Sequence, residues 1–168
     1  RQVVPDMALH VSTQANTCNW AAVEAWKNLG AERVVLAREL SIAEISEIDK
    51  KCDVGLEVFV HGAMCISYSG RCYLSSYLTG RDGNRGECAQ VCRWNYQLVE
   101  ENRPDQAFPI EEDERGTYIM NSKDLCLLDL IPELAEAGVD SLKIEGRMKS
   151  VHYVATVVSV YRKAIDDW

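Results

Sequence analysis

No run of about 18 apolar residues occurs in this sequence, so no segment reads as a membrane-spanning helix. No N-terminal stretch reads as a secretion signal. The His-Glu-x-x-His and Gly-x-Ser-x-Gly signatures are missing, which removes two common hydrolase readings. No Cys-x-x-Cys pair is present, so the cysteines do not announce a familiar zinc ribbon. Basic charge is scarce: 18 Lys and Arg against 26 Asp and Glu leave a net charge of −8, and such a surface as a whole does not attract nucleic acid. Internal repeats and low-complexity tracts are also lacking.

What is present suits one globular domain. The chain has 168 residues, 47% hydrophobic and 26% charged, enough to bury a core. It begins at Arg1 and ends inside a helical pattern, which reads as a fragment of a longer protein. Met7 to Val11 reads as a strand, and Thr17 to Leu29 as a helix through Trp20, Val23 and Trp26, stopped by Gly30. Arg33 to Ala37 is a β-branched strand. Ser41 and Glu44 form a capping box ahead of the Ile42, Ile45, Ile48 stripe. Gly55 to Val60 is a third strand. Asn95 to Val99 and Thr117 to Asn121 read as a hairpin around an acidic loop, and Ser122 as the cap of a further helix ended by Gly138. Asp140 to Glu145 is a buried-type strand, and Ser150 to Asp167 a long amphipathic helix.

Strands alternating with helices imply a parallel sheet, hence an α/β fold. Four units are about half of a closed eight-unit barrel. The expected fold is therefore a partial TIM-like (β/α) barrel, about its C-terminal half, spanning residues 1–168 with a cysteine-rich and acidic-loop insertion over 61–121. An open doubly wound sheet is the alternative. Half a barrel leaves sheet edges unpaired, which another chain or a homodimer would cover.

Seven cysteines are an odd count, unlike a secreted disulfide scaffold. Cys18, Cys52 and Cys126 lie in apolar periodic segments and read as packing residues. The other four follow the spacing Cys65-x6-Cys72-x15-Cys88-x3-Cys92, in an irregular segment directly after a strand. This division points to a reducing, cytoplasmic setting. Four thiolates suit an iron–sulfur cluster or a zinc ion. Glycines 62, 70, 80, 83 and 86 let the backbone fold tightly, and Arg71 is placed to offset thiolate charge. Buried structural cysteines and two disulfides are the alternatives. From Gly62 to Arg93 the local balance is +2, although from Glu100 to Arg115 it is −5.

The stretch Glu57-Val-Phe59-Val-His61-Gly62-Ala63-Met64-Cys65-Ile-Ser-Tyr-Ser-Gly70-Arg71-Cys72-Tyr-Leu74-Ser75 closely resembles the signature of the collagenase-like peptidase family, peptidase family U32. The resemblance continues through Cys88-Ala-Gln-Val-Cys92-Arg93-Trp94, through Gly116-Thr-Tyr-Ile-Met-Asn121-Ser122-Lys123-Asp124-Leu125, and into Lys143-Ile-Glu145-Gly146-Arg147. It is greatest to the branch that hydroxylates tRNA. That resemblance implies formation of 5-hydroxyuridine at the wobble position, tRNA and a small anionic, prephenate-like metabolite as partners, and a 4Fe–4S cluster on Cys65, Cys72, Cys88 and Cys92. The family name implies a collagenase-like peptidase with a peptide substrate as the second reading. A non-catalytic metal-binding interaction module is the third.

Beside the cysteines, His61 is a candidate proton donor or acceptor, or a histidine bonded to backbone. Glu57 is a candidate buried acid or an ion-pair partner. Lys143, Glu145 and Arg147 alternate at the end of a strand, which suits an anionic substrate or an ion-pair ladder. With Arg71, the two cations Lys143 and Arg147 are the substrate-binding candidates; His61, Glu57 and Glu145 are the catalytic ones. Tyr73, Tyr77, Trp94 and Tyr96 lie near the arginines. They are candidates to stack on single-stranded RNA or to cover the metal.

Overall fold

A computed structural model of the chain describes residues 3–65, 67–94, 96–109, 112, 113, 116, 117 and 124–168. The main sheet has five strands. β1 (His10–Val11), β2 (Arg33–Val35), β3 (Gly55–Ala63) and β9 (Ser141–Ile144) lie side by side in sequence order, all parallel. β3 is the hub. Its first residues pair with β2, its middle with β9, and its last three antiparallel with β8 (Asp124–Cys126). Smaller antiparallel pairs join β4 (Gln97–Glu100) to β5 (Arg103–Pro109) and β6 (Glu112–Asp113) to β7 (Gly116–Thr117).

Local sequence explains the helices. Asn19 caps α1 (Trp20–Asn28) by accepting from the Ala22 amide at 2.9 Å. The Ser41–Glu44 capping box forms at the start of α2 (Ile42–Lys51), with the Ser41 amide donating to Glu44 at 2.8 Å. α3 (Leu74–Thr79) is short and ends at Gly80, whose positive φ accommodates the helix stop. Pro132 sits in the first turn of α4 (Ile131–Glu136), and Ser150 caps α5 (Val151–Asp167).

One face of the sheet carries the core. Leu56, Val58 and Val60 of β3 are buried with Val34, and Val23, Ile45, Ile48, Leu134 and Tyr161 reach them from α1, α2, α4 and α5. Alternate residues face the other way, among them Glu57, Phe59 and His61 of β3 and Lys143 of β9. There Glu57 holds Lys143 at 2.7 Å and Arg33 at 3.6 Å, tying β2, β3 and β9 together. Sequential strand order with helices on a single face is singly wound, unlike the doubly wound alternative. Among the described residues the sheet does not close on itself. No helix among them is long and apolar enough to cross a membrane.

Three expectations are corrected. The hairpin partner of β4 is β5, so part of the expected acidic loop is strand; of the expected strand at 117–121, residues 118–121 lie outside the described residues. Ser122, the expected helix cap, also lies outside them. The helix expected after it starts only at Ile131, because Asp124 to Cys126 extend the sheet along β3 first. This pairing outweighs a local apolar pattern that fits either element. Cys126 accordingly is exposed on β8 rather than packed, whereas Cys52 is buried and Cys18 partly so.

The end of β3 is sterically tight. Gly62 has φ +106, and a Cβ there would stand 2.3 Å from the Glu145 carbonyl oxygen. Gly62→Ala is expected to destabilise the protein by at least about 2 kcal/mol through both strain and overlap. Chemical denaturation measures this, and an unchanged midpoint would contradict it.

Candidate functional site

Every parallel strand feeds its C-terminal end into one cavity of about 320 Å³. Ser12, Thr13 and Gln14 follow β1, Arg38 follows β2, Met64 and Cys65 follow β3, and Glu145, Gly146 and Arg147 follow β9. Phe59 and Lys143 line it from the strands themselves. The cysteine segment closes the other side with Cys72, Ser75, Cys88, Gln90 and Cys92. Gly70 permits this closure: a Cβ there would stand 2.0 Å from the Gln14 carbonyl oxygen.

The four predicted cysteines thus share one cavity wall. Cys65 is exposed as a residue, yet burial of its sulfur pushes the thiol above its ordinary pKa; a backbone bond from Ser67 opposes this, neighbouring Cys72 and Cys92 add to it, and Arg38 opposes it. The Gln90 amide donates to Cys88 Sγ at 3.3 Å. Among the described residues no three His, Cys, Asp or Glu side chains converge tightly enough to ligate a single ion.

The other predicted residues separate into two groups. Glu145 lines the cavity, accepting from Gln90 Nε2 at 2.8 Å and from the Arg147 amide at 3.1 Å. Lys143 lines it too, but its ammonium is committed to Glu57. Glu57 is not part of the wall. Burial raises its carboxyl, and Lys143, Ser141 and Arg33 outweigh that, so its pKa lies below the usual value. Arg147 is exposed at the rim, its guanidinium against Gly86. Arg71 is exposed and outside the wall. His61 also lies outside it, ringed by Tyr161 and Tyr153 with centroids 5.6 and 5.9 Å away. Tyr161 donates to the Val60 carbonyl at 2.8 Å, and burial pushes its hydroxyl up to about 12.

Arg38 and Gln90, with Thr13 and Gln14, escaped the sequence reading. Arg38 stacks 3.8 Å from the Phe59 ring centroid and donates to the Ala63 carbonyl at 2.6 Å. Its Nε is buried with no hydrogen-bond partner among the described residues, as are Thr13 Oγ1 and Gln14 Oε1 of the same wall. Burial draws the Arg38 pKa down, while Cys65, Glu145 and Glu39 hold it up. Its signal was position, three residues past the end of a parallel strand. Gln90 was recognisable only in three dimensions, because its φ of 55 is unusual for a residue with a side chain. Among the described residues neither Arg38 nor Arg147 has a carboxylate at ion-pair distance, although Glu145 lies in the same wall.

The chain belongs to peptidase family U32, whose model matches residues 1–168. It is 55% identical over 166 residues to tRNA hydroxylation protein P1 of Bacillus subtilis, covering 99% of this chain and 39% of that protein. It is 44% identical to tRNA hydroxylation protein P of Escherichia coli, covering 99% of this chain and 46% of that one. A 23S ribosomal RNA 5-hydroxycytidine synthase of Escherichia coli is 37% identical, over 97% of this chain and 24% of the enzyme. The chain spans less than half the length of the tRNA hydroxylation proteins P1 and P just described. No solved structure matches it.

Asp124 braces the site from behind. It receives Arg93 from the cysteine segment, Lys149 at 3.0 Å and the Tyr153 hydroxyl at 3.1 Å. Burial raises its carboxyl, but these partners outweigh it and the pKa lies below the ordinary value. A depressed carboxylate contributes stability above its unfolded pKa of about 4 and loses it as pH falls through the folded value. Asp124→Asn should therefore cost about 1–2 kcal/mol at neutral pH, with the difference from wild type closing in acid. Urea melts across pH 2–7 test this; a gap that widens in acid contradicts it.

Proposed function

We propose that this chain is the cluster-holding and substrate-orienting part of an RNA hydroxylation enzyme acting on tRNA uridine at the wobble position. The observation that carries the reading is the single cavity whose wall pairs four cysteines with Arg38, Lys143, Glu145 and Arg147. Near-complete alignment with proteins named for tRNA hydroxylation supports the substrate class.

Cys65, Cys72, Cys88 and Cys92 fit a 4Fe–4S cluster better than zinc. All four line one cavity, and four thiolates with no histidine or carboxylate among them are the usual ligand set of such a cluster. Gln90 and Ser67 supply backbone N–H bonds to two of the sulfurs, as cluster thiolates require. With all four corners taken by thiolates, a bound cluster supplies electron transfer or rigidity rather than an open iron.

The remaining wall does the orienting. Arg38 and Arg147 hold a small carboxylate metabolite, prephenate-like in charge, with Thr13 and Gln14 meeting its polar groups. Glu145, fixed by Gln90, stands where it can take a proton from the base. Glu57 and Lys143 support this wall from below as an ion pair. His61 keeps a supporting role against Tyr161, and Arg71 meets RNA outside the cavity.

The one-faced, singly wound sheet fits a segment of a (β/α) barrel, with residues 61–121 as an insertion at its catalytic end. The rest of the longer protein, or a second copy in a homodimer, would pair the outer edges of β1 and β9. Such an enzyme works in the cytoplasm, where thiols stay reduced. The peptidase reading ranks second: among the described residues no histidine lines the cavity beside the cysteines, and His61 packs on tyrosines.

Replacing Cys72 by Ala in the full-length protein is expected to abolish wobble 5-hydroxyuridine in cellular tRNA, and Arg38→Met to reduce it at least about tenfold. Mass spectrometry of digested tRNA reads both. Wild-type levels in the Cys72 variant would overturn the proposal.

A further inference from the structure

The segment that seals the cavity also turns large rings outward. Tyr68, Tyr73, Tyr77 and Trp94 are 70%, 69%, 85% and 50% exposed, so they are not the cover of the cysteines. Tyr96 is different: its hydroxyl donates to the Val91 carbonyl at 2.7 Å, and it serves the loop.

Two of the rings form a pair. Tyr73 is the N-cap of α3, and its carbonyl accepts from the Tyr77 amide at 2.9 Å, so the two exposed tyrosines are spaced one helical turn apart. The opposite side is anchored. Ser75 is buried in the cavity wall, accepts from the Ala89 amide at 2.9 Å and donates to the Arg81 carbonyl at 2.8 Å. Rolling α3 to hide its tyrosines would break both bonds. The turn at Val91–Arg93 packs against α3 and delivers Trp94 as its C-cap.

Exposed cations lie on the same segment. Arg71 and Arg81 are exposed, and the Arg85 side chain is 83% exposed, offset only loosely by Asp82 at 3.5 Å. Arg81 reaches Met148 Sδ at 3.8 Å, and the neighbouring Arg147 lies on Gly86, so three arginines gather where α3 meets the cavity rim. This occurs on a chain whose net charge is −8.

We infer that this face is a stacking platform for single-stranded RNA, with Tyr73 and Tyr77 under successive bases and Arg71, Arg81 and Arg85 on the phosphates. The inference rests on the RNA-modification reading and specifies its contact surface. Exposed rings reach only bases that are already unstacked, so a duplex is not the ligand. Guanidinium groups interleaved with rings complement a polyanion that carries π-faces. Cys72 lines the cavity and precedes Tyr73 directly, so the platform borders the cavity.

Fluorescence anisotropy of full-length protein tests this with a labelled oligouridylate of about ten nucleotides, and with a hairpin duplex for comparison. The variant carrying Tyr73→Ala and Tyr77→Ala should bind the single strand at least about tenfold more weakly, and Tyr73→Phe with Tyr77→Phe should bind normally. Arg81→Gln should lower the slope of log affinity against log salt by about 0.7. If wild type binds the oligouridylate and the alanine variant binds equally well, the platform is wrong while the RNA reading stands. If wild type binds no RNA, both fall. Unchanged affinity with a lowered melting temperature would assign the tyrosines to a face covered by the rest of the protein, and would also overturn the platform.

Discussion

The joint at the end of β3 governs the rest of the structure. The Glu145 amide donates to the His61 carbonyl at 2.8 Å, and Gly62 lets the two strands meet almost backbone to backbone. From this point the chain runs one way to Cys65 and the other to Arg147. A slip of one residue between β3 and β9 would turn Lys143 and Glu145 to the helix face and bury their charges. Burial of Leu56, Val58 and Val60 on that face therefore fixes the chemistry on the opposite one.

Charge is distributed with the same economy. Glu57 neutralises Lys143 and Arg33 on the polar face of the sheet, and Asp124 gathers Arg93 and Lys149 behind the cavity. Arg38 and Arg147 are left to face the cavity, and Arg71, Arg81 and Arg85 face solvent. A protein with an acidic balance overall thus presents cations at one end. Net charge predicts non-specific attraction poorly when the basic residues are gathered on one segment.

β2 and β9 were legible because each is a short run between a helix stop and a helix cap. Gly30 and the Ser41–Glu44 box set limits that tertiary packing had no reason to override. The Asp124–Cys126 strand was not legible. Its three residues lie in an apolar stretch of no decided period, and only the free edge of β3 made them a strand. The cysteines and the Lys143-Glu145-Arg147 alternation were visible as spacing. Arg38, Thr13 and Gln14 were invisible as site residues because single polar residues after a strand carry no pattern; parallel packing alone brings those loops together. Cys126 misled for the same reason as its strand.

We propose that Cys65, Cys72, Cys88 and Cys92 act as one ligand set facing a cationic wall. Iron and labile-sulfide analysis, with a visible absorption spectrum, of full-length protein purified without oxygen tests it most directly. About four iron and four sulfide per chain are expected, lost when Cys65 or Cys92 is replaced by Ser. Zinc, or four free thiols with no iron, would contradict it.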